Sequence, residues 1–107
     1  MVEQRRSKRF DVKLPLRLVR NGLRRIKGAG ETRNLSSGGV LFASDTEVQV
    51  GEPIEYVISL TPSGEVDLRC LGNVMRLDPN VRDGSERGKP FQVAATVERY
   101  EFIRQRA

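Results

Sequence analysis

Short runs of alternating apolar and polar residues limit this chain to β-structure. Every second residue is apolar in residues 12–18, and the same pattern returns in residues 54–60. Successive side chains of a strand point to opposite faces, so a period of two predicts strands with one buried face. The turn sequences Asn21-Gly22 and Thr61-Pro62-Ser63-Gly64 separate neighbouring runs and favour hairpins. The pattern therefore predicts an all-β, antiparallel protein.

The length of 107 residues fits one domain. We predict strands from Phe10 and from Leu23, a short one at Val40–Ala43, a hairpin from Ile54 to about Arg76, and a last strand from Phe91. Residues 78–90 are rich in turn formers and predict a long loop. These elements indicate a small six-stranded antiparallel β-barrel over residues 10–107. Tyr100 and Ile103 have helical spacing, so we also expect a short C-terminal helix at about residues 98–106.

Positive charge is concentrated in the first third of the chain. Residues 1–33 contain eleven Lys or Arg and three acidic residues, a net charge of +8, whereas residues 34–107 have a net charge of −3. We expect residues 1–9 to form a basic arm that is flexible without a ligand. The asymmetry points to an anionic partner of this arm, with a solvated basic tail as the alternative.

The residue types present argue against an enzyme or a metal protein. The chain has no histidine and one cysteine, which removes the usual transition-metal ligands and any histidine-activated nucleophile. Cys70 alternates with Val66 and Leu68, so we expect it in the core. No apolar run is long enough to span a membrane and no signal peptide is apparent, so we expect a cytoplasmic location without membrane insertion.

The six residues Asn34-Leu35-Ser36-Ser37-Gly38-Gly39 combine a side-chain amide, two hydroxyls and two glycines directly before an apolar strand. Asn and Ser favour turns and can also bond to the edge of a base. Adjacent glycines permit positive φ angles and a close approach of backbone to a ligand. An ordinary tight turn between strands is the alternative interpretation.

An Arg-x-x-x-Arg pattern, Arg5 to Arg9, lies upstream of this turn. The pattern is weak alone in a chain with fifteen arginines, and Arg20 and Arg24 also match it across the predicted hairpin. Arg9 is 25 positions before Asn34, whereas Arg24 lies too close. The order of a basic arm, an alternating hairpin and the turn is more selective than any one of its parts.

In this combination the sequence resembles the PilZ domain, a bacterial receptor for the second messenger cyclic di-GMP. The motifs behind the resemblance are the R-x-x-x-R arm and the [D/N]-x-S-x-x-G turn, here Asn34, Ser36 and Gly39. The resemblance spans nearly the whole chain, since it includes the barrel and the C-terminal helix. It implies cyclic di-GMP as the ligand, no further cofactor and no catalysis.

The resemblance also implies roles for single residues. Arg5 and Arg9 would contact phosphate and guanine, and Asn34 would bind the Watson–Crick edge of a guanine. Ser36, Gly38 and Gly39 would shape the turn and bring backbone to the ligand. On the later barrel strand, Val74 and Arg76 are candidates for packing on a base, and a surface strand residue is the alternative for Arg76.

One position departs from some members of the family. Where they have a further arginine before the arm motif, this chain has Gln4, and Arg6 is the candidate replacement. The number of ligand molecules, one or two, is therefore left open.

Two alternatives come from other functional classes. A small basic barrel could bind RNA or single-stranded DNA, although the chain has only six aromatic residues and no Trp for stacking on bases. Four of the six, Phe10, Phe42, Tyr56 and Phe91, mostly fall on predicted core faces. A PilZ-like adaptor without nucleotide is the second alternative, against which the intact motif residues argue. For the receptor we expect ligand-induced ordering of the arm, read by a partner protein or by adjacent domains of a longer chain.

Overall fold

The computed structural model describes residues 9–80 and 88–104, and these residues form seven antiparallel strands and no helix. The strands are β1 (Pro15–Asn21), β2 (Arg24–Leu35), β3 (Gly39–Ser44), β4 (Pro53–Ser59), β5 (Val66–Pro79), β6 (Phe91–Thr96) and β7 (Arg99–Arg104). The predicted arm residues 1–8 and most of the predicted loop at 78–90 lie outside the described residues. Asp78 and Pro79 belong to β5 instead of to that loop.

Six of the strands close into a barrel. The order in the sheet is β4-β1-β2-β3-β6-β5-β7, and β4 also pairs with β5, which joins the two sides. The prediction of a six-stranded antiparallel barrel is confirmed. Strand β7 is additional, since it pairs with the first half of β5 outside the closed ring.

The barrel interior is filled by the apolar residues of the alternating runs. The largest fully buried side chains are Tyr56 and Phe42, whose ring centroids are 5.8 Å apart. The rest of the buried core consists of Leu16, Leu18, Val40, Val48, Ile54, Ile58, Cys70, Val74, Val93 and Ala95. Burial raises the pKa of the Cys70 thiol to about 11, so the thiol is protonated near neutral pH. The predicted core position of Cys70 is confirmed.

Strands β6 and β7 continue one another along β5. Val74 of β5 is opposite Ala95 of β6, and Leu71 is opposite Arg99 of β7. A Cβ atom added to Gly72 would lie 1.9 Å from the carbonyl oxygen of Thr96, so only glycine fits where the two chains meet. The buried hydroxyl of Tyr56 also donates to this carbonyl, at 3.1 Å.

The expected C-terminal helix is wrong, because residues 99–104 form β7. The backbone of this segment pairs with residues 66–71 of β5. Tyr100, Phe102 and Ile103 satisfy a helical period over so short a segment, but aromatic and β-branched residues fit a pleated strand better. The open ladder along β5 therefore decided the structure of this segment.

Phe10 is a second correction, since the alternation placed it on the core face. Its side chain is 60% exposed, whereas Phe42 and Tyr56 are fully buried as predicted and Phe91 is half-buried. Regular pairing in β1 begins only at Pro15, and Phe10 is connected to the barrel through one isolated bridge to Leu35. That bridge lies at the rim, where no core surrounds the ring.

Candidate functional site

The segment that follows the predicted arm is attached to the last residues of β2. Phe10 and Leu35 exchange two backbone hydrogen bonds of 2.8 and 2.9 Å. Further along, the N–H of Leu14 donates to the buried hydroxyl of Thr32 (2.9 Å), and this hydroxyl donates to the carbonyl of Val12 (2.5 Å). These bonds hold Arg9, next to Phe10, beside the turn that follows β2.

A β-bulge at Arg33 determines which way Asn34 faces. The pairing of β2 with β3 shifts register between Thr32 and Asn34, so that Thr32 is opposite Phe42 and Asn34 is opposite Leu41. An extra residue in one strand reverses the alternation beyond it. Thr32 therefore lies in the core while Asn34 faces the outside of the barrel, half-buried.

A second β-bulge, on β5, likewise changes the face on which the following residues lie. The register with β6 shifts between Val74 and Arg76, which leaves Met75 as the extra residue. Val74 is only 1% exposed and belongs to the core, whereas Met75 and Arg76 are exposed. Of the two strand residues proposed to pack on a base, the structure thus places Arg76 on the outer surface and Val74 inside the barrel.

The two bulges bring Asn34 and Arg76 onto one row of the outer face. Asn34 is opposite Leu41, Leu41 is opposite Ala94, and Ala94 is opposite Arg76. The row crosses β2, β3, β6 and β5, so about 14 Å of sheet separates the backbones of its end residues. Leu41 and Ala94 form a low apolar floor between a side-chain amide and a guanidinium.

The turn from Ser36 to Gly39 borders this row. The backbone N–H of Ser36 donates to the carbonyl of Gly39 (2.9 Å), and the Ser36 hydroxyl donates to the same oxygen at 3.3 Å. Neither Gly38 nor Gly39 has a positive φ, so left-handed backbone is not the reason for the glycines. A Cβ at Gly39 would approach the carbonyl oxygen of Ala95 to 3.1 Å, whereas one at Gly38 would meet only open space.

These residues line one cavity of about 370 Å³, a volume within the usual range for small-molecule sites. Of the nine predicted site residues, the structure brings six to this cavity: Arg9, Asn34, Ser36, Gly38, Gly39 and Arg76. Arg5 and Arg6 lie outside the described residues, and Val74 is in the core beneath. The cavity therefore gathers every described residue of the arm and turn that was predicted to belong to the site.

The charge lining this cavity is positive. The described lining includes the guanidinium groups of Arg9 and Arg76 and no carboxylate. Asp78, which lies outside the lining, accepts a hydrogen bond of 2.7 Å from Nε of Arg76. Because this bond uses Nε alone, both terminal amino groups of Arg76 remain for an acceptor in the cavity.

The sequence interpretation missed Leu41, Met75, Ala94 and Thr96, which also line the cavity. For Met75, and for the direction in which Asn34 and Arg76 face, the signal was the spacing of inward residues on β2 and β5. Thr32 and Leu35 both pack inward, as do Val74 and Leu77, and each pair is three positions apart instead of two. An odd spacing inside a strand requires a bulge, which moves the following residues to the other face.

Two other cavities provide a contrast. One of about 510 Å³ adjoins the site, because Asn34 and Leu41 line both cavities. Another, of about 340 Å³, lies at β7, where Arg69 contacts Glu55 (2.7 Å) and Glu101 (3.0 Å). Arg69 is already paired with two carboxylates, and one of them, Glu101, lines this cavity together with Arg69 and Arg99, so the cavity is less suited to an anion than the one at Arg9 and Arg76.

Among the described residues no group of three Cys, Asp or Glu side chains is arranged to hold a metal ion. In the same part of the chain there is no helix with the length and apolar character of a membrane span.

Comparison with known proteins agrees with the motif analysis. Residues 3–99 match the PilZ domain. Among solved structures the chain is similar to the Bacillus subtilis inhibitor of motility, MotI/DgrA, with a TM-score of 0.63 and 16% sequence identity. That match covers 94% of this chain and 44% of MotI/DgrA, so the chain spans less than half of that protein, and the likeness supports the fold alone. A search of curated proteins gave no match.

Proposed function

Because this chain belongs to the PilZ domain family, we propose that its outer-face cavity is a binding site for cyclic di-GMP. PilZ domains are ligand-binding or adaptor domains and typically cyclic di-GMP effectors. The observation that carries the proposal is the single cavity in which Arg9, Asn34, Ser36, Gly39 and Arg76 meet. These residues come from three separate segments of the chain, and chance does not readily bring them to one place.

The chemistry of the cavity matches the two parts of this ligand. Cyclic di-GMP has two phosphates and two guanines. A guanidinium fork binds a phosphate or the O6/N7 edge of guanine with paired hydrogen bonds, which is the role proposed for Arg9 and, from the arm, Arg5 and Arg6. Arg76 can stack its planar guanidinium on a base or bond to a phosphate from the opposite end of the row.

Asn34 is proposed to read the Watson–Crick edge of a guanine. Its carbonyl oxygen accepts from guanine N1–H or N2–H, and its position on the outer row points the amide away from the core. The turn from Ser36 to Gly39 holds the backbone close to the same place, and the apolar floor of Leu41 and Ala94 allows a flat base to approach the sheet. The cavity thus offers polar groups at its edges and an apolar surface between them.

The proposed signal is ordering of the arm. Residues 1–9 contain four basic side chains, which repel one another and leave little apolar surface to bury. Phosphates bound between Arg5 and Arg9 would remove that repulsion and fold the arm across the cavity mouth. A partner protein or adjacent domain would recognise the new surface, as PilZ receptors act through protein partners.

Calorimetric titration with cyclic di-GMP tests the proposal. We expect saturable heat for the wild type, a loss of affinity of about tenfold or more for Arg9→Ala, and no change for Arg99→Ala. The Arg99 variant removes the same charge from β7, away from the cavity. The charge-assisted pair lost with Arg9 accounts for about 1.5–3 kcal/mol.

Parallel titrations with GTP and a short RNA identify the alternatives. Absence of heat with the cyclic dinucleotide, together with salt-sensitive binding of RNA, would replace the receptor with a basic nucleic-acid-binding barrel. An equal loss in the Arg9 and Arg99 variants would mean that overall charge, and not the cavity, holds the ligand.

A further inference from the structure

The basic front third of the sequence separates into two places in the structure. Arg9 lies at the cavity, but five other cations lie on the hairpin formed by β1 and β2: Arg17, Arg20, Arg24, Arg25 and Lys27. About 30 Å of strand separates Arg25 from Asn34 along β2. The hairpin charges therefore contribute nothing to the cavity and need a separate explanation.

The placement of these cations does not stabilise the folded hairpin. Arg20 is directly opposite Arg25 across the two strands, and a like-charge pair in that position is destabilising. Arg20 has a distant ion pair with Glu55 at 3.7 Å, which Arg69 shares at 2.7 Å. Arg17, Arg24, Arg25 and Lys27 have no ion pair within the described part of the chain.

The turn that joins the two strands presents an aliphatic side chain to solvent. Gly22 has φ of +64°, and Leu23 follows it at the tip with 97% of its surface exposed, the largest value among the exposed large hydrophobic residues. A two-residue turn tolerates a polar residue there, so leucine has no folding role. One acid, Glu52, lies beside the tip, with an oxygen 3.0 Å from where a Cβ of Gly22 would be.

We propose that this hairpin, residues 17–27, docks on the surface of a bilayer that contains anionic phospholipid. Leu23 enters the boundary between headgroups and acyl chains, while Arg20, Arg24 and Arg25 contact the phosphates around it. The three cations lie within two positions of the turn, about 7 Å of strand, and so within one Debye length of the tip. Arg20 and Arg25 are on the outer face of the hairpin, and Arg24, opposite Asn21, is on its other side. Arg17 and Lys27 lie farther back on the outer face and add a longer-range attraction.

The tip chemistry favours lipid over nucleic acid. Residues 17–27 contain no aromatic side chain on which a base could stack, and an isolated aliphatic residue gains nothing beside a phosphate backbone. A bilayer surface satisfies both parts of the hairpin, since it offers negative charge outside and hydrocarbon a few ångströms deeper. The hairpin lies at the far end of β2 from the cavity, so docking leaves the cavity accessible.

Vesicle binding by the full chain tests the proposal. Partitioning is measured on phosphatidylcholine vesicles with and without 30% phosphatidylglycerol for the wild type and two triple variants, Arg24→Gln/Arg25→Gln/Lys27→Gln and Arg5→Gln/Arg6→Gln/Arg9→Gln. We expect binding to the anionic vesicles only. At roughly fivefold for each lost cation, the hairpin variant weakens it about 100-fold and the arm variant less than fivefold. Equal weakening by the two variants would overturn the proposal, because net charge would then explain the binding.

Entry of the hairpin tip into the bilayer surface is measured separately, by the fluorescence of a tryptophan placed there. The chain has no Trp, so Leu23→Trp introduces a single reporter at a position with no packing to lose. We expect its fluorescence to shift to the blue on anionic vesicles, whereas Phe102→Trp on β7 keeps its emission. An unshifted Leu23→Trp spectrum on vesicles that bind the protein would contradict the proposal. Loss of poly(U) binding in the hairpin variant with vesicle binding retained would assign the hairpin to nucleic acid.

Discussion

At the scale of single residues, the site depends on which face each polar side chain occupies. Asn34 and Thr32 are two positions apart and would share a face in a regular strand, yet Thr32 is buried and Asn34 lines the cavity. The extra residue Arg33 separates them. A change of one residue in the register thus converts what would be a core position into one that faces the cavity.

Asn34→Asp is expected to bind cyclic di-GMP about fivefold more tightly than the wild type. A carboxylate can accept both N1–H and N2–H of guanine, whereas the amide offers one acceptor and one donor. The added charge-assisted hydrogen bond accounts for about 1 kcal/mol.

Isothermal titration of Asn34→Asp beside Asn34→Ala measures the effect. The alanine variant removes the acceptor altogether and should bind more weakly than the wild type. Weaker binding by both variants would show that Asn34 does not accept from a guanine edge.

At the scale of elements, the site depends on the junction beside β5 at which β6 ends and the chain continues towards β7. Thr96 lies at this junction, where its carbonyl accepts from Tyr56 (3.1 Å) and its hydroxyl accepts from the N–H of Asn73 (2.9 Å). Gly72 allows the two backbones to meet there. The same junction places Ala94, Ala95 and Thr96 along the cavity.

Gly72→Ala is expected to lower the free energy of unfolding by about 3 kcal/mol, since overpacking at a contact with backbone cannot relax through a side chain. The new Cβ would lie 1.9 Å from the Thr96 carbonyl oxygen. Gly38→Ala is the matched control, because its Cβ meets open space and its φ is ordinary. Thermal melts of both variants measure the difference, and equal midpoints would contradict this account of the junction.

The alternation of apolar and polar residues predicted most strands correctly. It failed where long-range strand pairing determined the structure. The hairpins at Asn21-Gly22 and at residues 61–64 follow directly from turn chemistry. Strand β7 could not be distinguished from a helix in six residues with three apolar positions, because its conformation comes from the long-range ladder along β5. The bulges at Arg33 and Met75 were also missed, since a strand pattern interpreted locally assumes an unbroken period of two and passes over inward residues that are three positions apart.

At the scale of the whole molecule, the net charge of +8 over residues 1–33 comes from basic residues that lie in different places in the structure. The structure assigns Arg9 to the outer-face cavity and five other cations to the hairpin at the opposite end of β2. Sequence distance could not separate these groups, because β2 crosses the barrel between them. The molecule therefore has two cationic surfaces, one proposed for a nucleotide and the other for a bilayer.

Hydrogen–deuterium exchange of the full chain, with and without saturating cyclic di-GMP, tests directly whether the arm and turn close on the ligand. We predict slower exchange in residues 3–12 and 34–39, where arm and turn enclose the ligand, and unchanged exchange in the hairpin at residues 20–27. Unchanged exchange in the arm and turn at a saturating concentration would contradict both the site and the proposed ordering of the arm.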